Sequence, residues 1–231
     1  MSNTTQQSTT TRNNTPFDTD LSDSCSIASI LDEPQNQKLA IQWNLRGLKG
    51  SIDELRMMLA EEKHPPIALA IQETLTNEKT NYDGLLQGRY KWYPTYGPTS
   101  NKGGVCMAVV QNISHTRLEI KSTLQISAVR LNGPQQVTLA SIYIPQSYRI
   151  RNFGEDLVDV INQLSRPFLI MGDFNASHVS WGGKHSNTRG NKLLEIIEEQ
   201  NLAILNDGQH TRLNPCNGST SAIDLSTTTQ K

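Results

Sequence analysis

From residue 38 onward the chain alternates short apolar runs with helical apolar stripes, each closed by glycine, proline or a polar residue. Residues 39–43 read as a buried strand ending at Asn44. Ser51 with Glu54 three residues later is a capping-box pattern that predicts a helix over 52–62, with Ile52, Leu55, Met58 and Leu59 as its stripe and Pro65-Pro66 as its stop. Residues 67–71 form a second buried run, ending at Gln72-Glu73, so the segment has the order of a βαβ-type unit. The middle is β-rich, with an aromatic run at 90–96 and an apolar run at 105–110 after Gly103-Gly104. Alternating runs follow at 118–121 and 126–131. Asn132-Gly133 is a hairpin signal, lengthened by Pro134, that joins 126–131 to an apolar run at 137–143. Residues 153–164 place Leu157, Val160, Ile161 and Leu164 on one helical face. The apolar run 167–171 then stops at Gly172, a helix is predicted over 191–200, and strands over 202–205 and 221–225. Strands with helices between pairs of them predict two stacked sheets covered by helices.

Residues 1–37 differ in kind. They are dominated by Ser, Thr, Asn, Gln and Asp, with residues 26–31 as the one apolar interruption. Such a segment buries too little surface to offset its ordering entropy, so it is expected to be a disordered tail, with the apolar patch a frayed turn or a docking motif. The domain boundary is placed at 37/38, with one domain over 38–231. Lys and Arg number 21 against 22 Asp and Glu, so there is no global basic footprint, although a local basic patch is compatible with that balance. The three cysteines, Cys25, Cys106 and Cys216, are far apart and fit neither a zinc pattern nor a disulfide framework. With no apolar run long enough to span a bilayer and no signal core at the N-terminus, the expectation is a soluble protein of the nucleus or cytoplasm, not a secreted one and without a membrane partner.

The chemistry collects at strand ends. Asn44 follows the first strand, Glu73 the second, Tyr143 ends a middle strand, and Asp173 with Asn175 follows 167–171. Each has an ordinary reading by itself: a turn at Asn44-Leu45-Arg46-Gly47, a solvated acid at Glu73, a rim aromatic at Tyr143, an Asx turn at Asp173. Together they supply two oxygen ligands for a hard cation, a phenol, and a base beside an amide. Mg²⁺ takes few protein oxygens and keeps coordination sites for substrate phosphate, where it acts as a Lewis acid.

Six motifs carry a resemblance: Gln42-Trp43-Asn44-Leu45-Arg46-Gly47, Gln72-Glu73-Thr74, Ser141-Ile142-Tyr143-Ile144-Pro145, Gly172-Asp173-Phe174-Asn175-Ala176-Ser177-His178 with Trp181-Gly182, Asn187-Thr188-Arg189-Gly190, and Ser221-Ala222-Ile223-Asp224-Leu225. In that order the chain resembles the endonuclease/exonuclease/phosphatase superfamily, and more narrowly the apurinic-endonuclease-like domain of non-LTR retrotransposons of the Jockey type. The resemblance implies an α/β fold, a four-layer sandwich of two stacked mixed β-sheets flanked by helices (DNase I-like). It implies that Glu73 is the main ligand of Mg²⁺ (or Mn²⁺), with Asn44 a ligand or orienting group. Tyr143 would bond the scissile phosphate, Asp173 would be the general base, Asn175 would hold a phosphate oxygen, and Asp224 would orient a catalytic histidine further on. The implied reaction is nicking of DNA to leave a 3′-hydroxyl that primes reverse transcription, with a reverse transcriptase domain as partner in the full element.

One departure qualifies this expectation. The family's terminal Ser-Asp-His motif does not occur; the histidines are His64, His115, His178, His185 and His210. The expectation is therefore a fold whose last strands are missing and a chain with little activity of its own. The alternatives are another phosphodiesterase or phosphatase of the superfamily, or a non-catalytic nucleic-acid-binding remnant. Around the strand ends, Arg46, Lys49, Arg149, Arg151, His178, Lys184, Asn187 and Arg189 are candidate DNA contacts, provided their loops share one rim.

Overall fold

A computed structural model of the chain describes residues 25–29, 39–62, 64–213 and 220–230. The polar tail expected over 1–37 lies outside the described residues except for β1 (Cys25–Ser29), which pairs antiparallel with β2 (Leu39–Asn44). The apolar patch expected to be a frayed turn is thus partly a strand, because the edge of β2 offers backbone groups that any chain can pair. Among the described residues no helix is long and apolar enough to cross a membrane.

The first sheet has the order β1-β2-β3-β5-β4, with β3 (Ala68–Gln72), β4 (Tyr90–Thr95) and β5 (Val105–Val110). The second has the order β10-β13-β9-β8-β7-β6, made of β6 (His115–Leu118), β7 (Gln125–Leu131), β8 (Val137–Tyr143), β9 (Phe168–Asp173), β10 (Leu202–Ile204) and β13 (Asp224–Thr229). A two-stranded ribbon, β11 (Arg212–Leu213) with β12 (Thr220–Ser221), stands apart. Each large sheet holds one parallel pair joined by a crossover helix. In the first, β2 and β3 are joined by α1 (Leu48–Glu61); in the second, β8 and β9 are joined by α2 (Ile150–Gln163). The parallel pairs pack against one another across the interface, β2 and β3 meeting β9 and β3 meeting β8. Helix α1 covers the first sheet, and α2 with α3 (Thr188–Glu199) covers the second. This is the four-layer sandwich expected.

Period-two alternation decides which side chains meet between the sheets. Ala40, Ala68 and Ala70 face Leu139, Leu169 and Met171, small residues of one sheet receiving large ones of the other. One step along the same inward faces stand Gln42 and Gln72 on the first sheet and Ser141 and Ser226 on the second, all buried. Gln72 Nε2 donates to Ser141 Oγ at 2.9 Å, Ser141 Oγ donates to Ile71 O at 3.2 Å, and Ser226 Oγ donates to Gln42 Oε1 at 3.4 Å. A further step brings Asn44 and Asp173. The inner faces therefore run from apolar to polar to ionisable toward one end of the sandwich.

Several elements differ from the sequence expectation. Helix α1 begins at Leu48, not 52: Gly47, with φ +127°, turns the chain directly out of β2, and Ser51 Oγ bonds Leu45 O at 2.9 Å instead of capping the helix. Helix α3 begins at Thr188 because Asn187 caps it, its side chain accepting from Gly190 N at 2.7 Å. The last strand is β13, not 221–225; threonines tolerated on a half-buried sheet carry it on to Thr229 between β9 and β10. Asp224 therefore opens a strand. Because β13 runs antiparallel to β9, that places it directly opposite Asp173.

At Gly172 a Cβ would stand 2.1 Å from Ile142 O in the neighbouring strand. Gly172→Ala is expected to force β8 and β9 apart at a cost of about 2–3 kcal/mol, read as a lower urea midpoint with an unchanged denaturant slope.

Candidate active site

Four of the six predicted site residues come from the carboxyl ends of the two parallel pairs. Asn44 ends β2 and Glu73 follows β3, while Tyr143 ends β8 and Asp173 ends β9. Tyr143, Asp173 and Asp224 are register partners across three adjacent strands. Asn175 follows two residues after Asp173. The structure thus gathers all six at one end of the sandwich.

Their central contact joins the sheets. Asn44 Nδ2 donates to Glu73 Oε1 and to Asp173 Oδ2, both at 2.9 Å. Its Oδ1 accepts from Arg46 N at 3.3 Å. Its amide nitrogen thus faces both carboxylates. Asp173 is 1% exposed and Asn44 6% exposed, whereas Glu73 is only half-buried. Asp173 Oδ1 accepts from Asn175 N at 2.8 Å, and Asn175 Nδ2 donates to Ile144 O at 3.1 Å. Asp224 Oδ2 accepts from Thr211 Oγ1 at 2.9 Å, a partner nothing in the sequence pattern indicated. Tyr143 is half-buried beside them.

The backbone around these groups is held in conformations that side chains rarely choose. Arg46, Glu73 and Asn175 have φ of 48°, 50° and 48°, in the left-handed region. Long-range hydrogen bonds hold two of these turns: Leu45 N to Gln72 O at 3.1 Å, Leu48 N to Thr74 O at 2.9 Å, and Thr74 N to Gly104 O at 3.1 Å. Residues in this region cluster where the surrounding fold over-determines them, functional sites above all.

Chemically, the site offers oxygen donors and amides. Two carboxylates brought within reach of one amide repel unless a cation or proton intervenes, and a half-buried Glu73 keeps one of them open to solvent. Hard oxygen donors with an open side fit a small divalent cation that retains water. Among the described residues there is no group of three or more His, Cys, Asp and Glu side chains that would enclose a metal by themselves.

The predicted basic rim divides. Arg46, Lys49, Arg149, Arg151 and Lys184 are exposed, the last three beside or beyond the loops that follow β8 and β9. His178 and Asn187 are engaged locally. His178 Nδ1 accepts from Ser180 N at 3.1 Å and its ring lies 5.0 Å from that of Trp181, while Asn187 caps α3. Arg189 is not on the rim at all. It is 8% exposed, with its guanidinium on four backbone carbonyls and over the ring of Phe153 at 5.6 Å. Burial lowers its pKa from the usual arginine value, and the neighbouring Asp173 works in the opposite direction. Sequence spacing could not distinguish this buried arginine from an exposed one. The glutamine–serine seam was not read from the sequence either, although polar residues at period-two positions within apolar strands were the signal that could have found it.

Residues 137–231 match a family model described as endonuclease-reverse transcriptase. The chain is 30% identical over 173 residues to the RNA-directed DNA polymerase from mobile element jockey of Drosophila melanogaster, a match covering 73% of this chain and 18% of that protein. It is 34% identical over 176 residues to the protein of the same description from Drosophila funebris, again over 73% of this chain and 18% of the relative. The chain therefore spans less than a fifth of the length of these curated relatives. Among solved structures it resembles the endonuclease domain of TRAS1, a telomere-specific non-LTR retrotransposon, with a TM-score of 0.68 and 20% identity, covering 83% of this chain and 84% of that one. That likeness is one of fold.

Asn44→Leu removes a donor from both carboxylates at once. It is expected to lower stability by about 2–4 kcal/mol in urea unfolding at neutral pH.

Proposed function

We propose that the chain is a non-LTR retrotransposon-type endonuclease domain of the endonuclease/exonuclease/phosphatase superfamily and acts as a Mg²⁺-dependent DNA endonuclease. In this reading it nicks one strand of target DNA and leaves a 3′-hydroxyl from which a reverse transcriptase of the same element primes synthesis. The observation that carries the proposal is the Asn44 amide bridging Glu73 and Asp173, which brings acidic oxygens from two sheets to one point at the strand ends.

Mg²⁺ (or Mn²⁺), held by Glu73 with Asn44 orienting that carboxylate, would neutralise charge on the phosphoryl oxygen. The rest is the work of the chain's own groups. Asp173, fixed by Asn44 on one oxygen and the Asn175 amide on the other, keeps further lone pairs with which to accept a proton from water. The water oxygen bonds phosphorus as the bond from phosphorus to the 3′ oxygen breaks; the water's proton goes to Asp173, and the leaving 3′ oxygen takes one from solvent. Asn175 uses one amide hydrogen on Ile144 O and keeps the second for a non-bridging phosphate oxygen. Tyr143, register partner of Asp173, would donate to the same phosphate. Asp224, anchored by Thr211, borders Asp173 on the other side. Arg46, Lys49, Arg149, Arg151 and Lys184 supply exposed positive charge for the DNA backbone.

A protein that joins this chain to the Ser-Asp-His segment expected from the resemblance should convert supercoiled plasmid to the nicked circle in Mg²⁺ and not in EDTA. Asp173→Asn and Glu73→Gln should each slow this by on the order of 10²–10⁴-fold. Nicking retained by both variants, or in EDTA, would falsify the assignment. A reading independent of turnover is the melting temperature: Mg²⁺ should raise it for the unmodified chain and not for Glu73→Gln. For the rim, Arg149→Ala with Arg151→Ala should flatten the salt dependence of DNA binding by about one unit of slope for each phosphate that is no longer neutralised.

A further inference from the structure

Arg189 takes no direct part in the reaction just described, yet it is the cation buried closest in sequence to the Asp173–Asn175 turn and reaches into it. We propose that Arg189 is a positioning residue that locks the peptide between Phe174 and Asn175, and so holds the base and the amide of the site in working orientation. The proposal deepens the endonuclease reading and rests on it for its kinetic consequence.

The Phe174 carbonyl and the Asn175 N–H are the two ends of one planar peptide unit. The N–H donates to Asp173 Oδ1 at 2.8 Å, and the carbonyl accepts from Arg189 Nη1 at 3.2 Å. Rotating that plane would break both bonds. It would also release Asn175 from its left-handed φ of 48°, so the turn is biased toward rotation and must be held from outside. The same Nη1 lies 3.5 Å from Ile144 O, the acceptor of Asn175 Nδ2. Nη2 donates to Gln146 O at 3.3 Å and Tyr148 O at 2.9 Å. One guanidinium therefore ties the loop after β8, which follows Tyr143, to the loop after β9, which carries Asp173 and Asn175.

The fork is itself fixed. Arg189 lies in the first turn of α3, whose N-cap Asn187 accepts from Gly190 N at 2.7 Å and from Ser177 N at 3.4 Å. Its guanidinium is packed over Phe153 of α2. Four carbonyls in two directions suit a planar fork and not the single point of an ammonium group.

The test uses the full chain with Arg189→Lys and Arg189→Ala. In spectra of ¹⁵N-asparagine-labelled protein, the Asn175 amide proton, shifted downfield by its carboxylate partner, should move upfield in both variants, while Asn77 on its distant loop should not. Plasmid nicking should lose turnover by up to about 100-fold with a change in KM of about twofold or less, since misplacement acts on chemistry and not on DNA capture. Methylguanidinium should restore turnover to Arg189→Ala, and in an Asn175→Ala background Arg189→Lys should cost less than in the unmodified chain, because the side-chain share of the effect is already gone while Asp173 is still misplaced. A folded Arg189→Lys with an unmoved Asn175 amide overturns the proposal, as does full additivity with Asn175→Ala. If the unmodified protein, joined to the Ser-Asp-His segment, fails to nick DNA while the Asn175 amide still responds, the endonuclease reading falls and the peptide lock is supported.

Discussion

The amide of Asn44, donating at 2.9 Å to a carboxylate of each sheet, is the contact on which the arrangement of the site depends. It requires that β2 and β9 end at the same level and that both present their last residue inward. Each condition follows from the stacking of the parallel pairs β2–β3 and β8–β9. The carboxyl ends of parallel strands, where crossover connections leave, are where open α/β sheets usually bind ligands. Here two such ends face one another, so the groups that follow them face a common space.

The interior between the sheets serves stability and chemistry by a gradient. Where alanines of one sheet meet leucine and methionine of the other, the layers pack without polar atoms. Toward the site the same inward faces carry the buried glutamine–serine seam, whose hydrogen bonds offset the cost of bringing polar groups under cover. The carboxylates come last, where Glu73 reaches solvent. A buried Asp173 is tolerated because its two oxygens are met by an amide side chain and a backbone N–H. Left-handed turns at Arg46, Glu73 and Asn175 aim these groups, and bonds from other elements hold the turns.

Much of the architecture was legible in local pattern. Strands β5 and β8 fall on the apolar runs 105–110 and 137–143, and both crossover helices were expected. The misplacements have local causes that spacing does not encode. Gly47 opens α1 earlier than the capping-box pattern at Ser51 suggested, and Asn187 starts α3 where a candidate DNA contact was expected. Strand β6 covers 115–118 and not 118–121 because register with β7, anchored by Tyr93 on His115 at 2.8 Å, decides its limits. Strand β13 runs through threonines that were not read as a strand, since their pairing depends on neighbours distant in sequence.

Local pattern established that β2, β3, β8 and β9 are buried strands and which polar residue closes each of them, because period-two burial and glycine or proline stops are properties of adjacent residues. Tertiary structure alone decided what those residues touch. Asn44 and Asp173 are 129 residues apart, and their contact depends on how two sheets stack. Arg189 reads as one more basic residue near a motif until α3 docks it among carbonyls of two loops. Asp224 becomes the neighbour of Asp173 only through the antiparallel register of β13. Hydrogen-bond partners at such separations are set by packing, and packing is a property of the whole chain.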